Sequence, residues 1–349
     1  MVEKLRIVLF MGLLLGTGQA AGAGENALDP WRAIKEIEKV GGHVFRESKT
    51  PGKPVIEIHF IRCQVSDETL KHLQVFPTLQ KLYLEKTKVG GTGLMYLKGF
   101  INFKELTLRN CLVTDDGLAY LPTLSKLEDL DLGYNNITDR GLQYLKKLTN
   151  LHSLCLSGTK MTDKGLKYLK RLTNLKNLFL SETRLTGRGF RSWKGFTRLW
   201  QLDLRWSHVD DNGLGQIKRF TSLGWLFLYR TKITDGGLAH LRNLTKLEDL
   251  ELCETRITGK GLEQLQRMTE LMTLHLSSTN VMDQDLKCLK RLTKLSSLSL
   301  DCTEITDQGL KHLEGMTSLR MVQLYRTKTT EKGRSRLMKA LPNLNIVLR

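Results

Sequence analysis

From Val55 onward the chain repeats every 24 residues. Successive units open at Val55, Leu79, Phe103, Leu127, Leu151, Leu175, Leu199, Leu223, Leu247, Leu271, Leu295 and Leu319, with no insertion between them. Twelve units fill residues 55–342 of a 349-residue chain. A segment that short cannot bury an apolar face alone, so each unit must stack on the next, which predicts a solenoid and not two globular domains. Aromatic residues make up only 7% of the chain, so leucine has to fill the core.

Unit 5 reads LHSLCLSGTKMTDKGLKYLKRLTN, with apolar residues at unit positions 1, 4, 6, 11, 16, 19 and 22. Positions 4 and 6 alternate as in a strand, and positions 16, 19 and 22 share one face of a helix. The predicted unit is therefore a short strand, a turn and a helix, and the predicted fold class is α/β. Position 13 is Asp in eight units and position 12 is usually Thr, both suited to capping the helix that follows. Position 15 is Gly in ten units, which predicts close approach of neighbouring helices. Position 9 is mostly Thr, with Cys63, Cys111, Asn135 and Ser207 as exceptions. These side chains are expected to bond turn backbone from one unit to another.

The pattern L-x-x-L-x-L-x-x-T-x-I-T-D-x-G-L resembles a leucine-rich repeat over 288 residues. Its I-T-D-x-G-L half resembles repeats of F-box-type ligase adaptors and of exported leucine-rich repeat proteins of planctomycete-like bacteria. The resemblance implies a horseshoe solenoid, with a parallel β-sheet on the concave side and α-helices on the convex side. It also implies that a protein or glycan ligand binds the concave face. No F-box-like helical segment precedes the repeats, so a ligase-adaptor role is not expected.

Residues 1–23 have the layout of a secretory signal peptide: Lys4 and Arg6, an apolar run at 7–15, then Ala21-Gly22-Ala23. The run is about half the length that spans a bilayer, although retention as an anchor is the competing reading. An exported location follows, whether periplasmic, secreted or at the cell envelope, with no membrane span in the mature chain. Residues 24–54 are predicted to cap the open N-terminal end. Asp29 and Pro30 start a helix there, Trp31, Ile34, Ile37 and Val40 form its apolar face, and a strand follows near His43. Residues 343–349 form an incomplete last strand carrying Ile346 and Leu348.

No reactive constellation emerges. The six cysteines fall on scattered repeat positions; Cys63 and Cys111 lie two units apart, about 10 Å, which is beyond disulfide reach, so free thiols are expected. The histidines share repeat positions but are units apart, so none can pool ligands for a metal. The frequent glycines recur at position 15 and form no phosphate loop. No cofactor, metal or enzymatic activity is expected.

Strand positions 3, 5, 7 and 8 should face outward into the concave side. Units 6 to 8 place Phe179, Asp203, Arg205, Trp206, Trp225, Phe227, Tyr229 and Arg230 there. Aromatic residues mixed with Arg have the composition of a binding hot spot. The bland alternative is that these rings pack on one another. Asp129 and Asp131 flank them on one side, and Asp249, Glu251 and Glu254 on the other. The expected function is a non-enzymatic scaffold that binds a protein ligand with basic and apolar groups.

The formal charge of +18 sets the competing reading. The concave positions sum to −4, whereas the helical positions 14 to 24 carry +23. A basic helical side could hold an anionic polymer or envelope surface. A mildly acidic groove is not a nucleic-acid groove, so nucleic acid is not an expected partner.

Overall fold

The computed structural model describes residues 29–348, so the predicted leader at 1–23 lies outside the described residues. Helix α1 (Pro30–Lys39) leads into strand β1 (His43–Arg46), which pairs antiparallel with β2 (Val55–His59). From β2 onward each strand pairs parallel with the next in chain order, ending at Asn345–Val347. The sheet has fourteen strands among the described residues, and each repeat strand after β2 spans three residues, as in Ser153–Cys155. The constant period sets the register: Leu154 lies opposite Leu130 and Leu178, one unit away on each side.

The core is the predicted one. In unit 5, Leu151, Leu154, Leu156, Met161, Leu166, Leu169 and Leu172 are all fully buried, and the same positions repeat along the stack. Each such side chain contributes about 2 kcal/mol when buried.

The helical segments are tighter and shorter than the sequence reading. Gly141–Lys147 and Asp283–Arg291 are 3₁₀ helices, while Asp211–Ile217 and Asp307–Leu313 are α-helical for two turns. The apolar spacing of 16, 19 and 22 already carries the reason, since three residues per turn is the 3₁₀ period.

Two polar motifs act differently from the expectation. Position-13 aspartates clamp the following unit and do not cap their own helix. Asp235 Oδ1 accepts the Thr258 backbone N–H at 2.8 Å, and Oδ2 accepts the Thr258 hydroxyl at 2.6 Å. Asp115, Asp139, Asp211, Asp283 and Asp307 make the same pair of bonds to the next Thr. That Thr then caps its own helix, as Thr258 does by accepting from Lys260 N–H. The glycine at position 15 makes room for the same carboxylate: a Cβ on Gly261 would stand 2.5 Å from Asp235 Oδ1. Position-9 threonines, in turn, bond within their own unit, as Thr231 does by donating to Leu228 C=O at 2.7 Å. Bonds between units come from Asn135 and Cys111, which reach Leu108 C=O and Leu84 C=O.

Position 8 is left-handed in every unit, from Arg62 (φ 59°) to Arg326 (φ 53°), with glycine there only at Gly158. This conformation turns the N–H toward the next unit, so that Trp206 N–H bonds Tyr229 C=O at 2.8 Å and Glu254 N–H bonds Ser277 C=O at 3.0 Å. The parallel ladder thereby runs on past the end of each strand.

At the N-terminal end, α1 buries Ala33, Ile34 and Ile37 against the first repeat. Trp31, predicted on that apolar face, is exposed and lies 5.4 Å from the Arg46 guanidinium. At the other end Ile346 packs on the core and Leu348 is exposed. Among the described residues no helix is long and apolar enough to cross a membrane.

Candidate ligand-binding face

The in-register strands turn repeat positions into straight rows. The position-5 row passes through Asp131, Cys155, Phe179, Asp203, Phe227, Glu251 and His275. The position-3 row passes through Asp129, Ser153, Asn177, Gln201, Trp225 and Asp249. Rungs of such a sheet are about 4.8 Å apart, so neighbours in a row touch.

Trp206 and Trp225 are exposed at 47% and 39%, and Phe179, Phe227 and Tyr229 are half-buried. Most of these rings also contact each other, as the bland alternative required. Trp206 meets Tyr229 edge-on at 5.4 Å, and Trp225 meets Phe227 at 6.4 Å. Arginines stack on them: Arg230 lies 4.1 Å from the Trp206 ring and Arg205 lies 5.4 Å from Phe227. The cluster is thus ordered internally while keeping accessible surface.

Asp203 departs from the expectation of an outward-facing acid. It is buried to 2% exposure, because Arg205 folds back over it and donates from Nε at 3.0 Å and from Nη2 at 2.7 Å. That bond, more than any other influence, holds the Arg205 pKa above its ordinary value. Arg205 therefore presents the fixed, outward part of a neutralised pair, which continues toward Glu251 at 3.9 Å.

The three acids beyond the cluster differ. Glu254 is engaged, accepting the Tyr229 hydroxyl at 2.6 Å and pairing with Arg230 Nε at 2.5 Å. Glu251 is shifted upward by burial. Asp249 has a buried Oδ1 with no hydrogen-bond partner, and His275 Nε2 stands 3.9 Å from it. Burial pushes the Asp249 carboxyl up to about 6.

A hollow beside the cluster escaped the sequence reading. All outward residues of unit 5 are small: Ser153, Cys155, Ser157 and Gly158. Over the first three lies the middle of a cavity of about 700 Å³ that runs along the face from Tyr83 to Glu251. Arg109, Asp131 and Tyr134 wall it on one side, and Phe179, Glu182 and Trp206 on the other. The Tyr134 ring arches over Gly158, where a Cβ would come within 2.5 Å of it, and its hydroxyl donates to Glu182. Arg109 is held at 4.5 Å from the Tyr134 ring and 3.7 Å from Asp131. Side-chain size read along the rows carries this signal, whereas residue type read one unit at a time does not.

The six cysteines are all free, and burial pushes the Cys155 and Cys253 thiols up to about 11, away from thiolate chemistry. Among the described residues no group of His, Cys, Asp and Glu is placed to hold a metal ion.

Comparison with known proteins agrees with this architecture. A family model described as a leucine-rich repeat matches residues 123–146, 147–170 and 291–313. A search of curated proteins returned no match. Among solved structures, the chain is similar to an internalin of Listeria monocytogenes at 20% identity and a TM-score of 0.64, covering 90% of this chain and 93% of that one. It is also similar to a leucine-rich repeat protein of Leptospira interrogans, at 22% identity and a TM-score of 0.60, over 79% of this chain and 74% of the other. A third similarity is to a chain of an octameric complex of Latrophilin 3, Unc5D and the leucine-rich repeat part of FLRT2, at 18% identity and a TM-score of 0.57, over 78% and 84% of the two chains. The fold is therefore a leucine-rich repeat solenoid, an open α/β horseshoe built on one sheet.

Proposed function

We propose that the protein is a non-enzymatic interaction scaffold that binds a protein ligand through its concave face. The observation that carries this reading is the accessible aromatic and arginine cluster around Trp206 and Trp225, prearranged by stacking and by the Arg205–Asp203 and Arg230–Glu254 pairs. Exposed aromatic surface held in one geometry binds with little ordering cost. The FLRT2 repeat domain, seen in complex with other proteins, gives this reading a parallel in a similar fold. The leader-like segment at 1–23 supports an exported location, which intact mass of the mature protein would test through loss of those residues.

The deciding experiment is affinity capture from the native source, comparing wild type with the Trp225→Ala/Tyr229→Ala variant by quantitative mass spectrometry. Specific partners should drop at least tenfold with the variant, the size expected when two hot-spot aromatics are lost. Equal recovery by a folded variant would refute the concave-face reading.

A further inference from the structure

The concave face binds guanidinium groups of its own, each time in the same way. Arg109 lies on Tyr134 beside Asp131, Arg205 on Phe227 beside Asp203, and Arg230 on Trp206 beside Glu254. Each arginine is clamped between an aromatic face and a carboxylate, an arrangement that attracts a cation through both the ring quadrupole and the charge.

Phe179 breaks the series. Among the described residues it is the one aromatic at strand positions 3, 5, 7 and 8 of units 4 to 8 with no ring and no cation stacked on it. It is half-buried in the wall of the unit-5 hollow, over a floor of small side chains. Asp131 and Glu182 line the same cavity. Both arginines that line the cavity are already committed, Arg109 to Tyr134 and Asp131 and Arg205 to Phe227 and Asp203.

We propose that the hollow over unit 5 is the subsite for an arginine side chain of the protein ligand, seated on Phe179 and facing Asp131 and Glu182. This rests on the concave-face reading above and names the chemistry of its ligand. The occupant supplies the cation to the ring of Phe179, sharing Asp131 with Arg109 and Glu182 with the Tyr134 hydroxyl. Lysine fits less well, because a compact ammonium cannot lie flat on the ring while donating a planar fork to a carboxylate. Overall charge argues the opposite way: a chain with a formal charge of +18 attracts acidic peptides at a distance. Selection of arginine here would therefore report the hollow itself.

The test is to pan a random linear peptide library against the full chain and measure the selected peptides by calorimetry. Peptides competing at the concave face should carry an arginine, and replacing that arginine by neutral citrulline should weaken binding about fivefold, the yield of one partly desolvated cation–π contact. Phe179→Ala should cost wild-type binding the same factor and cost the citrulline peptide nothing, while Phe179→Tyr should preserve affinity. The Asp131→Asn/Glu182→Gln variant gives a second readout that leaves the ring in place, and it too should lose affinity for the arginine peptide only. Enrichment of acidic or apolar peptides that are lost with Trp225→Ala/Tyr229→Ala would overturn the arginine subsite and leave the concave-face reading standing. Arginine peptides indifferent to Phe179→Ala and to the acid variant would overturn it as well. A library yielding no concave-face binder would also count against it, and the scaffold reading would then be judged on the native capture alone.

Discussion

Asp249 is the least satisfied residue on the face, and its position in the rows explains why. Its neighbours in the position-3 row are Trp225 and Thr273, and neither donates to the buried Oδ1. Its carboxyl is pushed up to about 6, above the unfolded value of about 3.9. The folded state thus holds the extra proton between those values. The favourable contribution is complete below about pH 4 and is lost as pH rises through 6. Asp249→Asn should therefore be more stable than wild type at pH 7, by at most about 3 kcal/mol, and lose that advantage near pH 4. His275, lowered by burial, works in the other direction as pH falls, and Glu251 beside it is raised. The difference between variant and wild type in urea unfolding at each pH carries the test, since groups remote from Asp249 cancel in it. A difference independent of pH would exclude Asp249 as its source. Position 8 makes a second residue-scale case. Ser278 holds φ 56° although its side chain forms no contact that requires it. Ser278→Gly should stabilise the protein by about 0.5–1 kcal/mol, measured as a raised urea midpoint.

At the scale of one unit against the next, the position-13 carboxylate and the position-15 glycine form a single device. Unit 9 has Gly259 where Asp is usual, and unit 10 has Asp285 where Gly is usual. The exchanged pair occupies the same space: a Cβ on Gly259 would stand 1.9 Å from Asp285 Oδ1, and Asp285 Oδ2 accepts Met282 N–H at 2.8 Å. Gly259→Asp alone should destabilise by about 2 kcal/mol or more, through overlap of two carboxylates. Adding Asp285→Gly rebuilds the backbone half of the common clamp, to Met282 N–H, and should recover at least about 1 kcal/mol, a coupling read directly from a double-mutant cycle of urea unfolding. Additive losses would refute the device. This is also where sequence reading reached its limit. Leucine periodicity is a property of each unit alone, so the core and the register were legible from it. The Asp235–Thr258 clamp and the unstacked ring of Phe179 depend on what the adjacent unit offers. Such pairings become visible only when the repeats are laid side by side.

Across the whole molecule, the positive charge and the concave face separate. The helical side carries the lysines and arginines, which suit the carbonyl ends of the helices, while the concave side is mildly acidic and aromatic. The stack itself should behave as a one-dimensional array, in which each unit is stabilised by its two neighbours. Removing residues 295–318 tests this without touching the face. The deletion joins unit 10 to unit 12, and Asp283 then meets Thr330 in place of Thr306, an identical clamp. Met321–Gln323 takes the place of Ser297–Ser299 beside Thr273–His275 in the same register. The losses include the Arg336–Glu314 and Lys328–Glu304 pairs and the Tyr325 N–H bond to Asp301, surface bonds worth about 1 kcal/mol or less each. The shortened chain should unfold in one transition, with its urea slope lowered by roughly one-twelfth in proportion to the surface removed. Ligands of the concave face should bind unchanged. Deleting only 295–306 removes the same strand but leaves a helix with no strand beneath it, so that the following unit meets unit 10 out of phase. That chain should lose cooperative unfolding, and equal behaviour of the two deletions would show that the repeat period does not govern the fold.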